Sequence, residues 1–322
     1  MIKIFKSNKF LSLLLIIMCI IIIVNPSVYA KSSLNGISVW AFKVLPLMFP
    51  FFILSKLIAN LHTPKENFMD KFFNRLYNAP KGSFSTFFLA TLSGYPMGAK
   101  LICTMYEKKQ ITSSEANKML SFCSVSGPMF MIGTVGVAML NNFKSGIIIL
   151  VSNIVASLIN GLLYRGKKVD KKELSFTPKK VHFSLSDCVY DSLISILMVG
   201  SYIVISFIVI DILNNIYVIK FISNTICSIF NCKQHLDIVR SVLNGFFEIT
   251  RGIFDLSQTS ASLRIKTIIA SSLIGFGGIS ILLQSISFLG KINMPIKNML
   301  LQKITQGILC LIISIPLSIL FL

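Results

Sequence analysis

The sequence predicts an all-α polytopic membrane protein with inverted structural repeats and broken or re-entrant helices, comprising about seven full spans plus two re-entrant segments. Three observations support this fold class. Of the 322 residues, 54% are apolar and only 13% are charged, against about 25% charged residues in soluble domains. Several apolar runs carry glycine, proline or a cation near their centre. The two halves of the chain also match at a fixed offset.

The net charge does not indicate a nucleic-acid partner, although it is strongly positive at +19. The lysines and arginines lie mainly in short loops between the apolar runs, which is the distribution that the positive-inside rule gives. We therefore expect a lipid bilayer around the chain and no nucleic acid bound to it.

The N-terminal segment, residues 1–34, combines features of a membrane span and of a signal peptide. Three lysines precede the apolar run Phe10–Val24, and Val28-Tyr29-Ala30 resembles a small-residue cleavage site. We expect a retained first span, and cleavage stays open as the alternative.

Residues 35–164 form the first predicted repeat, and residues 184–322 form the second. A basic loop, 165–183, separates them. In order, the first repeat contains an apolar run Gly36–Leu61, a basic linker His62–Gly82, a broken segment Phe84–Met105, a capping box at Thr112–Glu115, a second break at Ser124–Pro128 and a span Ser145–Tyr164. The second repeat contains Cys188–Leu213, a mixed stretch Asn214–Arg240, the segment Ser241–Leu256, and the spans Thr267–Leu289 and Met299–Leu322.

Landmark residues of the two repeats match at an offset of 151 residues without a gap. The matched pairs are Ser55 and Ser206, Gly94 and Gly245, Lys100 and Arg251, and Gly127 and Gly278. With the N-terminus inside, the predicted inner loops carry 19 lysines and arginines and the outer stretches carry 7. Each half then crosses the membrane an odd number of times, so the second half enters from the opposite side and the repeats are inverted.

The stretch Ser93–Lys100 is the strongest candidate for a site. Pro96 removes a backbone donor, and two glycines flank it in an otherwise apolar region. In hydrocarbon such a break persists only where protein or a water-filled cavity satisfies the freed groups. We expect Lys100 and its repeat mate Arg251 to meet in one mid-bilayer pocket, with Glu248 as the only nearby carboxylate. A net positive pocket of this kind favours an anion, and two cations favour two carboxylates.

The predicted substrate-binding set contains the two cations, Glu248 and the residues of the four breaks. It consists of Lys100, Arg251, Gly94, Tyr95, Pro96, Gly98, Ser126, Gly127, Gly245, Glu248, Gly278 and Ser280. Alternatives stay open for several of them. Lys100 and Arg251 could instead snorkel to the lipid headgroups, and we expect Lys43, Lys56 and Lys303 to do so. Glu248 could simply neutralise Arg251 at i, i+3. Tyr95 could be a packing residue, and the serines could re-satisfy opened backbone.

Enzyme classes receive no support from the sequence, and we expect no catalytic activity and no cofactor. It contains no Walker A loop, no GxGxxG opening a βαβ unit, no HExxH and no GxSxG in context. The three histidines lie far from each other and from any cysteine or carboxylate cluster, so no metal site is expected. The reading from another class is a membrane scaffold, whose breaks merely allow close helix packing.

The broken segments resemble those of a known family. The resemblance rests on Leu45–Ser55, Ser93–Lys100, Ser126–Phe130, Glu248–Thr250 and Phe276–Ser280. These stretches are similar to the YlbJ (SpoVV) family of sporulation integral membrane proteins, within the nucleoside-recognition gate-domain group. The resemblance covers nearly the whole chain.

That resemblance implies a role in spore maturation and cortex formation in an endospore-forming bacterium. It further implies movement of dipicolinate, a small aromatic dianion, from mother cell to forespore across the outer forespore membrane. Other sporulation membrane proteins could be partners. A non-transporting sporulation scaffold or subunit and a nucleoside-type transporter of the gate group stay open as alternatives.

Overall fold

The computed structural model describes residues 8–61, 68–166, 185–290, 292 and 295–322, and within these ranges it is helical, with no strand. Residues 167–183 of the predicted basic loop lie outside the described residues. The α-helices are α1 (Asn8–Val24), α2 (Pro26–Val39), α3 (Leu45–Leu61), α4 (Phe68–Tyr77), α5 (Ser83–Ser93), α6 (Met97–Glu107), α7 (Ser113–Cys123), α8 (Phe143–Leu163), α9 (Leu185–Asn215), α10 (Val218–Ile229), α11 (Leu236–Phe247), α12 (Ile249–Gln258), α13 (Leu263–Phe276), α14 (Gly278–Leu289) and α15 (Ile296–Phe321). Two π-helical segments, π1 (Trp40–Val44) and π2 (Phe130–Met139), complete the membrane part.

The span that follows α1 begins earlier than the sequence indicated. Helix α2 starts at Pro26 and runs through π1 into α3, so the continuous apolar span covers Pro26–Ile58. Proline at the first helical position has no unsatisfied N–H and a φ angle already suited to a helix, which explains the start at Pro26. The predicted boundary at Gly36 was therefore ten residues too late.

Both breaks predicted in the first half are present. Helix α5 ends at Ser93, Gly94 has φ +71°, and α6 begins at Met97. Helix α7 begins with the predicted capping box, in which the Thr112 hydroxyl accepts from the Glu115 N–H and the Glu115 carboxylate accepts from the Thr112 N–H. It ends at Cys123, and non-helical residues 124–127 precede the next helical segment.

The second half repeats the order of the first, element for element. A long helix (α2 with α3, or α9) is followed by an amphipathic helix (α4 or α10) and a helix pair with a break (α5–α6 or α11–α12). A second broken pair (α7–π2 or α13–α14) and a final span (α8 or α15) complete each half. The second-half breaks are shorter: Glu248 alone separates α11 from α12, and Gly277 alone separates α13 from α14.

Contacts between the halves are reciprocal. Helix α6 packs on α14 and α12 packs on π2, while α7 packs on α15 and α13 packs on α8. Helices at the same position in the two halves also contact each other: α8 contacts α15, and α9 contacts α2 and α3. This is the contact pattern expected if a twofold axis exchanges the halves, and the inverted repeat itself stays a prediction. The opposite orientation of the halves in the membrane stays a prediction.

Five helical stretches among the described residues are long and apolar enough to cross a membrane. They are Pro26–Ile58, Phe143–Leu163, Leu185–Asn215, Leu263–Leu289 and Ile296–Phe321. The predicted span from Thr112 to Leu140 is two short helical segments around a break, and α1 has 17 residues. The chain is thus an all-α polytopic membrane protein, and the count of seven full spans stays a prediction.

The buried apolar residues form two clusters, each drawn from both halves. One combines an aromatic group around Phe73, Tyr77, Phe87 and Phe122 with residues of α14 and α15. The other combines residues of π1, α3 and π2 with residues of α9, α12 and α13. Since α7 belongs to the first cluster and π2 to the second, the break between them links two separate cores.

The predicted topology places the turn 141–144 and the loop 165–183 on opposite sides of the membrane, because α8 lies between them. Single cysteines introduced by Asn142→Cys and Lys172→Cys, in a background without native cysteines, test this placement. We expect a membrane-impermeant maleimide to label the two variants from opposite faces of oriented vesicles. Labelling of both from one face would contradict the topology.

Candidate binding site

A cavity of about 230 Å³ opens beside the first break. Its walls come from α3, the segment Ser93–Lys100, α9 and α14. The apolar lining is Phe52, Pro96, Met97, Ile194, Met198, Val199 and Phe288, and the polar lining is Ser55, Lys56, Ser93, Tyr95, Lys100, Asp191, Ser195, Tyr202, Gln284 and Ser287. We call this space the larger cavity.

Two ammonium groups and one carboxylate supply the charge of the larger cavity. The Lys56 ammonium donates to the Ser195 hydroxyl at 3.2 Å, and that hydroxyl donates to the Asp191 carbonyl at 2.7 Å. The Lys100 ammonium has no hydrogen-bond or ion-pair partner among the described residues, and it lies close enough to repel that of Lys56. The larger cavity therefore carries an excess of one positive charge.

A second, smaller cavity of about 60 Å³ adjoins the first. Tyr95, Val199, Tyr202 and Gln284 line both. The smaller cavity is also lined by Ser126, Gly127, Glu248, Ile249 and Thr250. The structure thus brings residues of three breaks, from both halves of the chain, to two adjoining cavities.

Glycines allow the backbones of the broken segments to cross in direct contact. A Cβ on Gly94 would lie 2.5 Å from the Gly127 nitrogen, and a Cβ on Gly278 would lie 3.2 Å from the Gly245 carbonyl oxygen. Gly94 and Gly278 also have φ angles of +71° and +68°, which favour glycine. Of these four predicted site residues, only Gly127 lines a cavity; the others hold backbone against backbone.

Two further predicted residues serve packing in the structure. A Cβ on Gly98 would overlap the Cys123 carbonyl oxygen, so Gly98 lets α6 lie against the end of α7. Ser280 is buried on α14 and lines neither cavity. Tyr95, Pro96, Lys100, Ser126, Gly127 and Glu248 are the predicted residues that do line a cavity.

Arg251 does not join Lys100, and the expectation of one pocket holding both cations was wrong. Its Nε donates to Asp255 at 2.9 Å and its Nη2 donates to Asp211 at 3.2 Å, while the guanidinium lies 4.5 Å over the Phe207 ring. It lines neither cavity. We call Arg251, Asp211, Asp255 and Phe207 the Arg251 cluster.

The sequence held part of the signal for this cluster. Asp255 lies four residues after Arg251, the spacing at which opposite charges face each other on a helix. Asp211 belongs to a different helix, α9, and no local spacing reveals it. Once both carboxylates are counted, Arg251 no longer contributes an excess positive charge.

Glu248 acts as a helix cap in the structure. Its carboxylate Oε2 accepts from the Arg251 backbone N–H at 2.7 Å, and its backbone is extended, as at a typical N-cap. The guanidinium of Arg251 pairs with aspartates instead. Glu248 is only 4% exposed, and it still lines the smaller cavity.

Lys303 is buried, and the expectation that it snorkels to the headgroups was wrong. It is 2% exposed on α15. Its ammonium donates to the Tyr95 hydroxyl oxygen, to the Ser124 carbonyl at 3.0 Å and to Gln306 Oε1 at 2.8 Å. The Tyr95 hydroxyl in turn donates to the Ser124 carbonyl at 2.9 Å. A carbonyl freed by the second break is therefore satisfied by two side chains.

Sequence reasoning missed several residues of the larger cavity. Lys56 was expected at the headgroups, yet it follows the repeat landmark Ser55 directly and faces the cavity. Asp191 is a carboxylate within an apolar run, a feature that marks functional positions in membrane helices. Ser195, Tyr202 and Gln284 carry no signal that separates them from other polar residues in spans.

Replacing Gly94 should destabilise the protein. Gly94→Ala puts a side chain on a residue with positive φ and 2.5 Å from backbone, at a cost of about 1–3 kcal/mol. We expect a clearly lower melting temperature in detergent. It is measured by size-exclusion chromatography of samples heated to increasing temperatures. Gly290→Ala is the control, since Gly290 is exposed and has φ −58°. Equal melting temperatures for the two variants would contradict the crossing described here.

Comparison with known proteins supports the membrane assignment. The chain is 28% identical over 315 residues to the sporulation integral membrane protein YlbJ of Bacillus subtilis (strain 168), and the match covers 89% of this chain and 77% of that protein. No protein-family model and no solved structure matches the chain. Over most of its length the chain is therefore similar to YlbJ, a sporulation integral membrane protein.

Proposed function

We propose that the chain is a sporulation membrane transporter that moves a small anionic aromatic dicarboxylate, dipicolinate, from the mother cell towards the forespore for spore maturation and cortex formation. The observation that carries this proposal is the larger cavity. It presents the ammonium groups of Lys56 and Lys100 between apolar and aromatic walls. Similarity to a sporulation integral membrane protein supports the cellular role.

The chemistry of the cavity suits this ligand. Two ammonium groups match two carboxylates, and the aromatic side chains of Phe52, Tyr202 and Phe288 in the lining offer surfaces for an aromatic ring. Asp191 already offsets one positive charge, so a dianion leaves the occupied cavity with a charge of about −1 and keeps release possible. A volume of about 230 Å³ lies below that of typical drug-sized sites. It favours a ligand with one ring over a nucleoside.

The repeat-related residues Lys100 and Arg251 differ in their surroundings: Lys100 faces an open cavity, and Arg251 is held in ion pairs. Lys56, Asp191 and Ser287 lie towards the helix ends that adjoin the predicted inner loops, so the larger cavity opens to the mother-cell cytoplasm. At the repeat-related position Phe207 replaces Lys56, and the Arg251 cluster closes the outer side with two ion pairs. Transport then requires that the outer ion pairs open while the inner cavity closes.

The alternatives explain the cavity less well. Close helix packing in a scaffold gives no reason for Lys100 to face a cavity without a partner among the described residues. A nucleoside is neutral at its base and sugar, so it would leave the excess positive charge of the larger cavity without a counter-charge. The proposed transport requires that the protein lies in the mother-cell-derived outer forespore membrane, because the ligand would have to cross that membrane to reach the forespore.

Removing either ammonium group should weaken dipicolinate binding. Lys56→Gln and Lys100→Gln each remove a charge-assisted hydrogen bond, so we expect about a tenfold or larger rise in Kd and no measurable binding by the double variant. Binding of radiolabelled dipicolinate to the purified full-length protein measures this. Lys220→Gln is the matched control, because Lys220 lies over the Tyr217 ring and outside both cavities. Unchanged affinity in both cavity variants would reject the site.

The same site should matter in the cell. Lys100→Glu reverses the charge of the group that faces the ligand, so we expect spores with low dipicolinate content although the protein is made and localised. Spores from a Lys220→Glu strain should retain the wild-type content. Fluorescence of spore extracts with terbium measures dipicolinate, and an immunoblot measures the protein. Normal content in the Lys100→Glu spores, with normal protein, would argue for a scaffold.

A further inference from the structure

Lys303 is a buried intramembrane cation without a carboxylate partner among the described residues. Its only charged or titratable neighbours there are Tyr95 from the first break and Cys310 on its own helix. Helices α7, α8 and α13, which pack on α15, turn no carboxylate, histidine or second ammonium towards it in the part of the chain that the structure describes. Burial of a cation is costly in hydrocarbon, and such residues mark functional positions.

The contacts of Lys303 hold a protonated amine. An ammonium group has three N–H donors and no acceptor, and the structure supplies three oxygens: Tyr95 Oη, Ser124 O and Gln306 Oε1. All three are neutral groups. The charged form therefore depends on hydrogen bonds that small shifts of the breaks can remove, because no buried carboxylate fixes the proton there.

Tyr95 connects Lys303 to the ligand space. It lines both cavities, its ring lies 4.8 Å from the Lys303 nitrogen, and its hydroxyl shares the Ser124 carbonyl with Lys303. A movement of the first break around a bound ligand therefore changes the acceptors of the ammonium group. An anion in the cavity and a proton on Lys303 also attract each other. Each ligand must then raise the affinity of the protein for the other by the same factor.

We propose that Lys303 is the proton-binding site of a symporter, so that one proton enters with each anion and leaves with it on the far side. This proposal rests on the proposed transport function and deepens it by naming the coupling ion. In the cycle the neutral amine takes up one proton to become –NH₃⁺, the loaded protein changes its open side, and –NH₃⁺ returns the proton to water as the anion departs.

Variants that fix the charge at position 303 test the proposal in proteoliposomes containing the full-length protein. Lys303→Gln is permanently neutral and Lys303→Arg is permanently charged. For the wild type we expect an imposed pH gradient to drive accumulation of radiolabelled dipicolinate. Neither variant should accumulate dipicolinate. Lys303→Arg keeps the charge of the loaded protein, so it should still exchange labelled for unlabelled dipicolinate, whereas the neutral Lys303→Gln should exchange it slowly or not at all. Lys43→Gln is the control, a lysine bonded to the Ala138 carbonyl at 2.7 Å within another span. Gradient-driven accumulation by either Lys303 variant at the wild-type rate would overturn the proposal.

Binding at equilibrium separates failure of coupling from failure of the transport function. We expect the wild-type affinity for dipicolinate to fall by about tenfold per pH unit once Lys303 loses its proton, and the affinity of Lys303→Arg to be independent of pH. If the wild type binds no dipicolinate at any pH, the transport function fails. If it binds with the same pH dependence as Lys303→Arg, only the coupling fails.

A measurement without ligand covers variants that fold poorly. Titration of wild-type protein over the pH range in which it stays folded should release one proton more than titration of Lys303→Arg, because the arginine keeps its charge throughout. Folding of each variant is checked by size-exclusion chromatography. Equal proton release by folded wild type and folded Lys303→Arg would refute proton binding at Lys303, whatever the substrate is.

Discussion

The fold depends on one constraint: backbone groups freed by a helix break inside a bilayer must find protein partners. The chain meets it by crossing its breaks at glycines. Gly94 lies against Gly127, and Gly278 lies against the Gly245 carbonyl. The freed Ser124 carbonyl accepts from Tyr95 and Lys303. Residues next to these crossings line both cavities, so the shape of the cavities depends on the contact between the breaks.

The two halves use the same order of helices for different purposes. Lys100 faces a cavity without a partner among the described residues, whereas its repeat mate Arg251 pairs with two aspartates and stacks on Phe207. The difference arises from side chains alone, since Asp255 and Asp211 have no counterparts beside Lys100. Under the proposed function, the cavity beside Lys100 and the paired Arg251 would be the open and the closed site of an alternating-access cycle. The orientation of the halves in the membrane is still a prediction.

Local chemistry allowed much of the architecture to be predicted from the sequence, and long-range contacts account for most of what was missed. Pro96 and the glycines locate the breaks, and Thr112 with Glu115 locates the start of α7, because these residues act on their own backbone. The pairing of Arg251 with Asp211 and the burial of Lys303 depend on which helices pack together. The spacing of residues along the chain does not reveal those helix pairs. Lys56 shows the same limit: a lysine near a span end either snorkels or faces a cavity, and only the neighbouring helix decides.

The central claim is that the larger cavity takes an anion between Lys56 and Lys100. The most direct test is protection of Ser195→Cys, whose side chain lies in that cavity beside Lys56. The rate of alkylation by a small maleimide is measured with dipicolinate and with its uncharged diamide. The account predicts slower alkylation with dipicolinate and an unchanged rate with the diamide. The same rate under all conditions, or equal protection by the uncharged analogue, would contradict it.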